Sequence, residues 1–306
     1  MKRVVVILCF FSVILILTFL VFILGIHEKL YPREDVAINS GIRDSQFEIG
    51  GLNVHYQTLG DPSNVPVIFI HGWGGSYATR DNILSEIGRY SVYGIVLELP
   101  GMDRSSIPII SWTNEDYADF LHQFVSRVGL EKPVLIGQSF GGGIVATYAA
   151  KYPNDLRSLV LVDANTSNKP PLVKFIVNLF GDIFSKLLFS STIPLSWKKA
   201  AVSWMLIIPP ELIDTRNLSI YKPMVQTFKN THTEDQLEKL ARVRVPTVLS
   251  WGILDLKTPL FWQVKQMQNL LDSSILVTTL GGHTVIYSKP KTVVGSIMRE
   301  LSLEQN

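Results

Sequence analysis

Pro133-Val-Leu-Ile-Gly137-Gln138-Ser139-Phe140-Gly141-Gly142-Gly143 decides how this chain reads. Strand-forming residues run into a serine with a glycine two places before it and another two places after. A helix-like segment, Ile144 to Tyr152, follows at once. This is the pattern of a serine lifted out of a sheet on a tight, strained strand-to-helix turn. Glycine is required at the flanking places because a Cβ there would collide with neighbouring backbone. By itself the pattern also fits an ordinary Gly-rich turn, so its weight depends on partners elsewhere in the chain.

Outward from that turn the chain alternates. A hairpin is expected at Gln46–Ile49 and Leu52–Thr58 around Gly50-Gly51. Buried strands are expected at Val65–Ile70, Tyr93–Leu99, Leu159–Val162, Thr247–Trp251 and Ile275–Leu280, with helices at about 79–90, 113–128, 260–271 and 292–301. Thr113 is placed to cap the second of these helices, with Glu115 and Asp116 in its first turn. Strands alternating with helices predict an α/β fold, a mostly parallel sheet flanked by helices. The alternation stops between Ala164 and about Thr233, where only helical segments broken by prolines are found. That stretch reads as an all-helical cap inserted over the C-terminal edge of the sheet, the edge where open α/β sheets carry their sites. The expected organisation is a core of residues 46–163 and 234–306, a cap of 164–233, and a polar linker of 31–45.

Composition narrows the function. Charges nearly cancel, at 28 basic against 26 acidic residues, without a basic block, so nucleic acid is a poor partner. The single cysteine, Cys9, excludes a disulfide framework and a Cys-based metal site. At the N-terminus, Lys2 and Arg3 precede Val4–Ile26, a run free of charge. As a helix the run would span roughly 35 Å against a bilayer core of about 30 Å. An uncleaved transmembrane signal anchor within residues 1–30 is expected, with a cleaved secretory signal as the competing reading. The basic residues ahead of the run put the N-terminus in the cytoplasm and the main domain on the extracytoplasmic side.

A serine hydroxyl becomes a useful nucleophile when an imidazole takes its proton. Of the six histidines, His283 follows the last strand in Gly281-Gly282-His283-Thr284, where a loop can carry it to the C-terminal edge. It is the expected general base. The imidazole needs a carboxylate to fix its tautomer. Asp163 and Asp255 both end strands. Asp255 is chosen, and Asp163 is expected to hydrogen-bond where the chain enters the insertion. The oxyanion needs backbone N–H donors, expected from Phe140 after the serine and Trp73 in His71-Gly72-Trp73-Gly74.

With these residues in place the chain resembles the α/β-hydrolase superfamily over about residues 46–303. The resemblance rests on His71-Gly72, the loop Leu99-Pro-Gly101-Met-Asp103-Arg-Ser105, the elbow around Ser139, then Asp255 and His283 in the family order. Asp103 stands where that loop commonly has its second glycine. The resemblance implies a serine hydrolase acting on a carboxylic ester through an acyl-enzyme, with no cofactor and no metal. Acyl transfer, C–C bond hydrolysis, peptide hydrolysis and a non-catalytic binding module are the alternatives on the same fold.

The insertion adds a hint about substrate. In Leu172–Phe189 the polar residues Lys174, Asn178, Asp182 and Lys186 form one narrow stripe and apolar residues fill the rest. One reading is a cap helix buried among its neighbours. The other is that this surface, with Trp197, Trp204, Met205 and Leu206, lines an acyl-binding tunnel or touches a membrane, which suggests a lipid-like or monoacylglycerol-type ester. Candidate substrate contacts are His71, Trp73, Phe140, Phe180, Phe184 and Trp204.

Overall fold

The computed structural model describes residues 33–73, 77–166, 171–188, 190, 193–206, 221–233, 237–258, 260–271 and 274–305. The apolar run 4–26 and the anchor read from it lie outside the described residues. Among the described residues no helix is long and apolar enough to cross a membrane.

Eight strands form one sheet: β1 (Arg43–Ile49), β2 (Leu52–Leu59), β3 (Val65–Ile70), β4 (Val92–Leu97), β5 (Val134–Gln138), β6 (Ser158–Val162), β7 (Thr247–Gly252) and β8 (Ser274–Thr279). Their spatial order is β1-β2-β4-β3-β5-β6-β7-β8. β1 and β2 pair antiparallel, as does β2 with β4, and every other pairing is parallel. The fold is therefore the mostly parallel sheet that the alternation predicts, in the α/β-hydrolase arrangement that the resemblance implies.

The parallel strands read as continuous apolar runs because both faces are covered. Along β3, Ile68 and Ile70 enter one core cluster and Val67 and Phe69 the other. The first cluster is closed by α2 (Asn114–Val128) and α3 (Phe140–Lys151). The second is closed by α1 (Tyr77–Ile87) and by a helix near the chain's end, Pro290–Glu300. Thr113 caps α2 in a reciprocal box, its hydroxyl accepting from the Asp116 N–H while the Asp116 carboxylate accepts from the Thr113 N–H. Gly129 ends that helix in the left-handed region.

The inserted stretch is helical where described: α4 (Pro171–Leu188), α5 (Leu195–Leu206) and α6 (Lys222–Thr233). α4 packs on α6, and Lys229 pairs with Asp182 at 2.6 Å. α6 is tied to the core by the Trp112 N–H, which donates to Thr227 Oγ1 at 2.8 Å. After it come α7 (Leu237–Leu240), α8 (Leu260–Gln268), α9 (Val285–Ser288) and α10 (Pro290–Glu300). The four-residue helices α7 and α9 are too short to leave a period in the sequence.

Two boundaries differ instructively from expectation. β1 begins at Arg43, and upstream of it the Glu34 N–H donates to the Ser288 carbonyl at 2.7 Å, so part of the stretch read as linker packs along the core. α3 begins at Phe140 rather than Ile144, so the glycine triplet forms its first turn. Close approach, rather than helix propensity, selects glycine at 141 and 142, where a Cβ would lie 2.3 Å from the Ile70 carbonyl oxygen and 2.4 Å from the Ala164 Cβ; at Gly143 the nearest atoms stand at 3.3 Å.

Candidate active site

Sheet order brings the loops together before any side chain is considered. The chain leaves β3 for β4 on one side and continues to β5 on the other, so β3 and β5 flank the topological switch point. The loop 71–73 leaves β3 and Ser139 leaves β5, side by side. His283 follows β8, three strands from β5, so its loop must reach back across roughly 14 Å at normal strand spacing.

Ser139 sits at φ 51° and ψ −112°, a region that ordinary residues avoid. The strain is held from both sides. Its N–H donates to the Val162 carbonyl at 2.9 Å, and its carbonyl accepts from the Asn165 and Gly142 N–H groups at 2.9 and 3.0 Å. The turn closes only because its flanking residues lack side chains: a Cβ on Gly137 would lie 2.5 Å from the Gly141 carbonyl oxygen, and one on Gly141 2.3 Å from that of Ile70.

Ser139, His283 and Asp255 stand in one hydrogen-bonded line. His283 Nε2 is 2.8 Å from Ser139 Oγ, and His283 Nδ1 is 2.9 Å from Asp255 Oδ2. Asp255 Oδ1 accepts from the N–H groups of Lys257 and Thr258 at 2.7 and 2.9 Å, and Oδ2 accepts from the Thr258 hydroxyl. Burial would push this carboxyl up. The hydrogen bond and charge of His283, with the Thr258 contacts, outweigh burial and hold it below the usual carboxylate range. Asp163 takes a different place. Its carboxylate accepts from the Gly252 N–H at 2.8 Å and its carbonyl oxygen lies 3.2 Å from the Thr258 hydroxyl oxygen. It thus steadies the end of β7 from which Asp255 departs.

The two expected oxyanion donors lie on adjoining loops. Phe140 is the first residue of α3, where an amide precedes the helix's own ladder. The Trp73 ring meets Phe140 edge-on at 5.2 Å and Phe228 of α6 at the same distance, joining loop, elbow and cap.

His71 and Phe140 require correction as substrate contacts. His71 is fully buried, with Nδ1 on the Gly72 carbonyl at 2.8 Å and Nε2 accepting from the Leu99 N–H at 3.2 Å. That pairing fixes a neutral ring with its proton on Nδ1. Burial first, and then the Arg80 charge, depress its pKa to about 4. It is a strut behind the loop. The Phe140 ring packs on Tyr117 at 5.3 Å within the core, which leaves its backbone as the useful part. Phe180, Phe184 and Trp204 lie on α4 and α5, but their side chains are outside the described residues.

Several contributors escaped the sequence reading. Gln138 donates from Nε2 to the His283 carbonyl at 3.0 Å, and its Oε1 accepts from the Tyr287 hydroxyl at 3.4 Å. The same hydroxyl accepts from the Gly72 N–H at 3.4 Å. Gln138 occupies the variable place of the elbow motif, so no local signal marks it. Asp103 has φ 49°, the conformation a glycine would take most easily, and its carboxylate pairs with buried Arg80. Glu98 lies 3.1 Å from Arg80 and also accepts from Arg104. Asp103 thus both turns the chain and completes a buried ionic cluster.

Residues 65–198 match the family described as alpha/beta hydrolase fold. The chain is 26% identical over 222 residues to Lipase 1 of Psychrobacter immobilis, covering 67% of each sequence. It is 26% identical over 273 residues to a monoacylglycerol lipase of Mus musculus, covering 82% of this chain and 80% of that one. For two further curated relatives the match spans only 23% and 35% of their own length. Among solved structures, a membrane phospholipase A described as a bacterial virulence factor superposes with a TM-score of 0.65 at 20% identity. That superposition covers 99% of this chain and 98% of the other. Likeness at that identity concerns the fold alone.

Proposed function

We propose, from the α/β-hydrolase fold of this chain, that it is a serine hydrolase cleaving a carboxylic ester through an acyl-enzyme. The carrying observation is the line from Ser139 Oγ to His283 Nε2 at 2.8 Å and from His283 Nδ1 to Asp255 Oδ2 at 2.9 Å. In this reading Ser139 attacks the ester carbonyl as His283 takes its proton, and Asp255 stabilises the resulting imidazolium. The Trp73 and Phe140 N–H groups receive the oxyanion. His283 then returns the proton to the departing alcohol, and a water activated by the same imidazole releases the acid. Labelling by a fluorophosphonate probe, abolished in Ser139→Ala, is the expected result. Folded protein that takes no label would overturn the reading.

We infer further that the ester is lipid-like, of the monoacylglycerol type. Two observations support this: the lipase names among the relatives, and apolar side chains standing in solvent on the cap. Phe175 and Leu179, one turn apart on α4, and Leu195 and Trp197 on α5 are all exposed. A series of p-nitrophenyl esters tests it, with medium or long acyl chains turned over faster than acetyl. Equal rates along the series would sink the lipid reading and leave the serine reading standing. The charge-free run 4–26 is proposed as a signal anchor that holds the catalytic domain on the extracytoplasmic side. Retention in the membrane pellet after alkaline carbonate, with the domain open to protease from outside, is the expected outcome.

A further inference from the structure

The loop that leaves β7 carries Asp255, and most of it stands in solvent. Ile253, Leu254, Leu256 and Lys257 are exposed, whereas Asp255 and Thr258 turn inward and are buried. A carboxylate on such a loop keeps one geometry only if other groups tie it down. Thr258 ties it twice. Its N–H donates to Asp255 Oδ1 at 2.9 Å, and its hydroxyl donates to Oδ2. Its own carbonyl accepts from Nε1 of the fully buried Trp251 at 2.7 Å, which fastens the end of the loop to β7.

That hydroxyl has a single proton to give. Asp255 Oδ2 is a charged acceptor, and the Asp163 carbonyl oxygen, at 3.2 Å, is a neutral one. Hydrogen bonds to an ionised acceptor are roughly twice as strong as neutral ones, so the proton goes to Asp255. His283 Nδ1 stands 3.3 Å from the same Thr258 oxygen. In the serine-hydrolase reading Nδ1 carries the ring's proton, because Nε2, 2.8 Å from Ser139 Oγ, must be free to accept. The Thr258 oxygen therefore turns a lone pair towards the Nδ1–H that already points at Asp255 Oδ2 across 2.9 Å. With its proton on the anion and its lone pair towards the ring, the hydroxyl dipole favours the imidazolium–carboxylate pair at both ends.

We propose that Thr258 is a positioning residue for the reaction, its hydroxyl holding Asp255 Oδ2 against His283 Nδ1 as the imidazole takes the Ser139 proton. The assignment rests on the serine-hydrolase reading and adds to it a residue that acts through Asp255 and His283 rather than on substrate. A β-branched side chain suits the task, since its restricted χ1 holds the oxygen in one place. Valine has the same shape and keeps the main-chain ties, so Thr258→Val removes the hydroxyl alone.

The test uses the full chain, with p-nitrophenyl butyrate as substrate and the rate of fluorophosphonate labelling as a second readout. Thr258→Val should lower kcat and kcat/KM together by about tenfold, the effect of one hydrogen bond to a charged group, with KM little changed. The labelling rate should fall by a similar factor. Thr258→Ser, which restores the hydroxyl, should recover to within about threefold of wild type. A double variant separates this role from a structural one. In an Asp255→Ala background Thr258→Val should cost less than about twofold further, because the two residues act as one unit. Should the valine variant fail to fold, Thr258→Ala is read in its place. Rates within twofold of wild type, a change confined to KM, no recovery in Thr258→Ser, or a full further tenfold loss in the double variant would each overturn the assignment while leaving the hydrolase reading intact. A folded wild-type chain with neither turnover nor label would sink both.

Discussion

The side-chain amide of Gln138 donates to the main-chain carbonyl of His283 across 3.0 Å, so the residue before the nucleophile holds the loop that carries the base. Through Tyr287 the same amide reaches the Gly72 N–H. Three loops from distant parts of the chain are therefore fastened behind the site by one buried side chain. Replacing it by Gln138→Leu keeps the volume and removes the bonds. The variant should lose about 1–3 kcal/mol of stability and roughly tenfold in kcat, with KM little changed. Steady-state kinetics beside denaturant melts would decide, and a loss confined to stability would make Gln138 merely structural.

The backbone strain at Ser139 gives a prediction with opposite signs for activity and stability. A residue held at φ 51° and ψ −112° costs on the order of 1–3 kcal/mol. Glycine pays about 0.5–1 kcal/mol in unfolded-state entropy. Ser139→Gly should then unfold about 1 kcal/mol less readily than the parent while losing turnover by a thousandfold or more. Equilibrium urea unfolding is the check, and a destabilised variant would contradict a strained elbow.

His71 predicts a pH dependence whose sign is fixed. In the folded chain it stays neutral down to about pH 4, whereas the unfolded imidazole titrates near 6.5. Between those values the unfolded state binds more protons, so stability falls as pH drops from 6.5 towards 4, by up to about 3 kcal/mol. Asp255, held low, adds a further loss that begins in the ordinary carboxylate range, at the acid end of this window, and continues below it. Unfolding free energies of wild type and His71→Gln across this window should show the slope flattened in the variant. Parallel curves would remove His71 as the source.

Asp103→Gly restores the glycine common in related loops, and two effects compete. Relief of a left-handed aspartate is worth about 1 kcal/mol at most, because Asp tolerates that region. Stripping one carboxylate from a buried guanidinium costs more. It falls short of the about 3–5 kcal/mol of a pair broken outright, because Glu98 remains 3.1 Å from Arg80. The variant should be about 1–2 kcal/mol less stable. Asp103→Asn, which keeps the turn and loses the charge, should fare no better. A stabilised glycine variant would show that the ionic cluster contributes nothing.

Much of the molecule is legible in sequence, and for a local reason. Apolar runs such as Val65–Ile70 mark strands buried on two faces, and the glycines around Ser139 mark a turn where backbones approach too closely for a Cβ. The capping box at Thr113 is complete within four residues. Such features are decided by sterics over a few positions, so strand order of appearance, elbow and the strand-end places of Asp255 and His283 can be read in the chain. What only tertiary structure decides are pairings between residues far apart in sequence. Thr258 bridging Asp255 and Asp163, Gln138 under His283, and Asp103 and Glu98 on Arg80 leave no period and no motif. His71 shows the same limit, for its place at a strand end suggested a substrate contact, while the neighbouring Leu99 N–H and full burial made it a strut. A local pattern states where a side chain leaves the sheet, and the packing of other elements around it determines which atoms it meets.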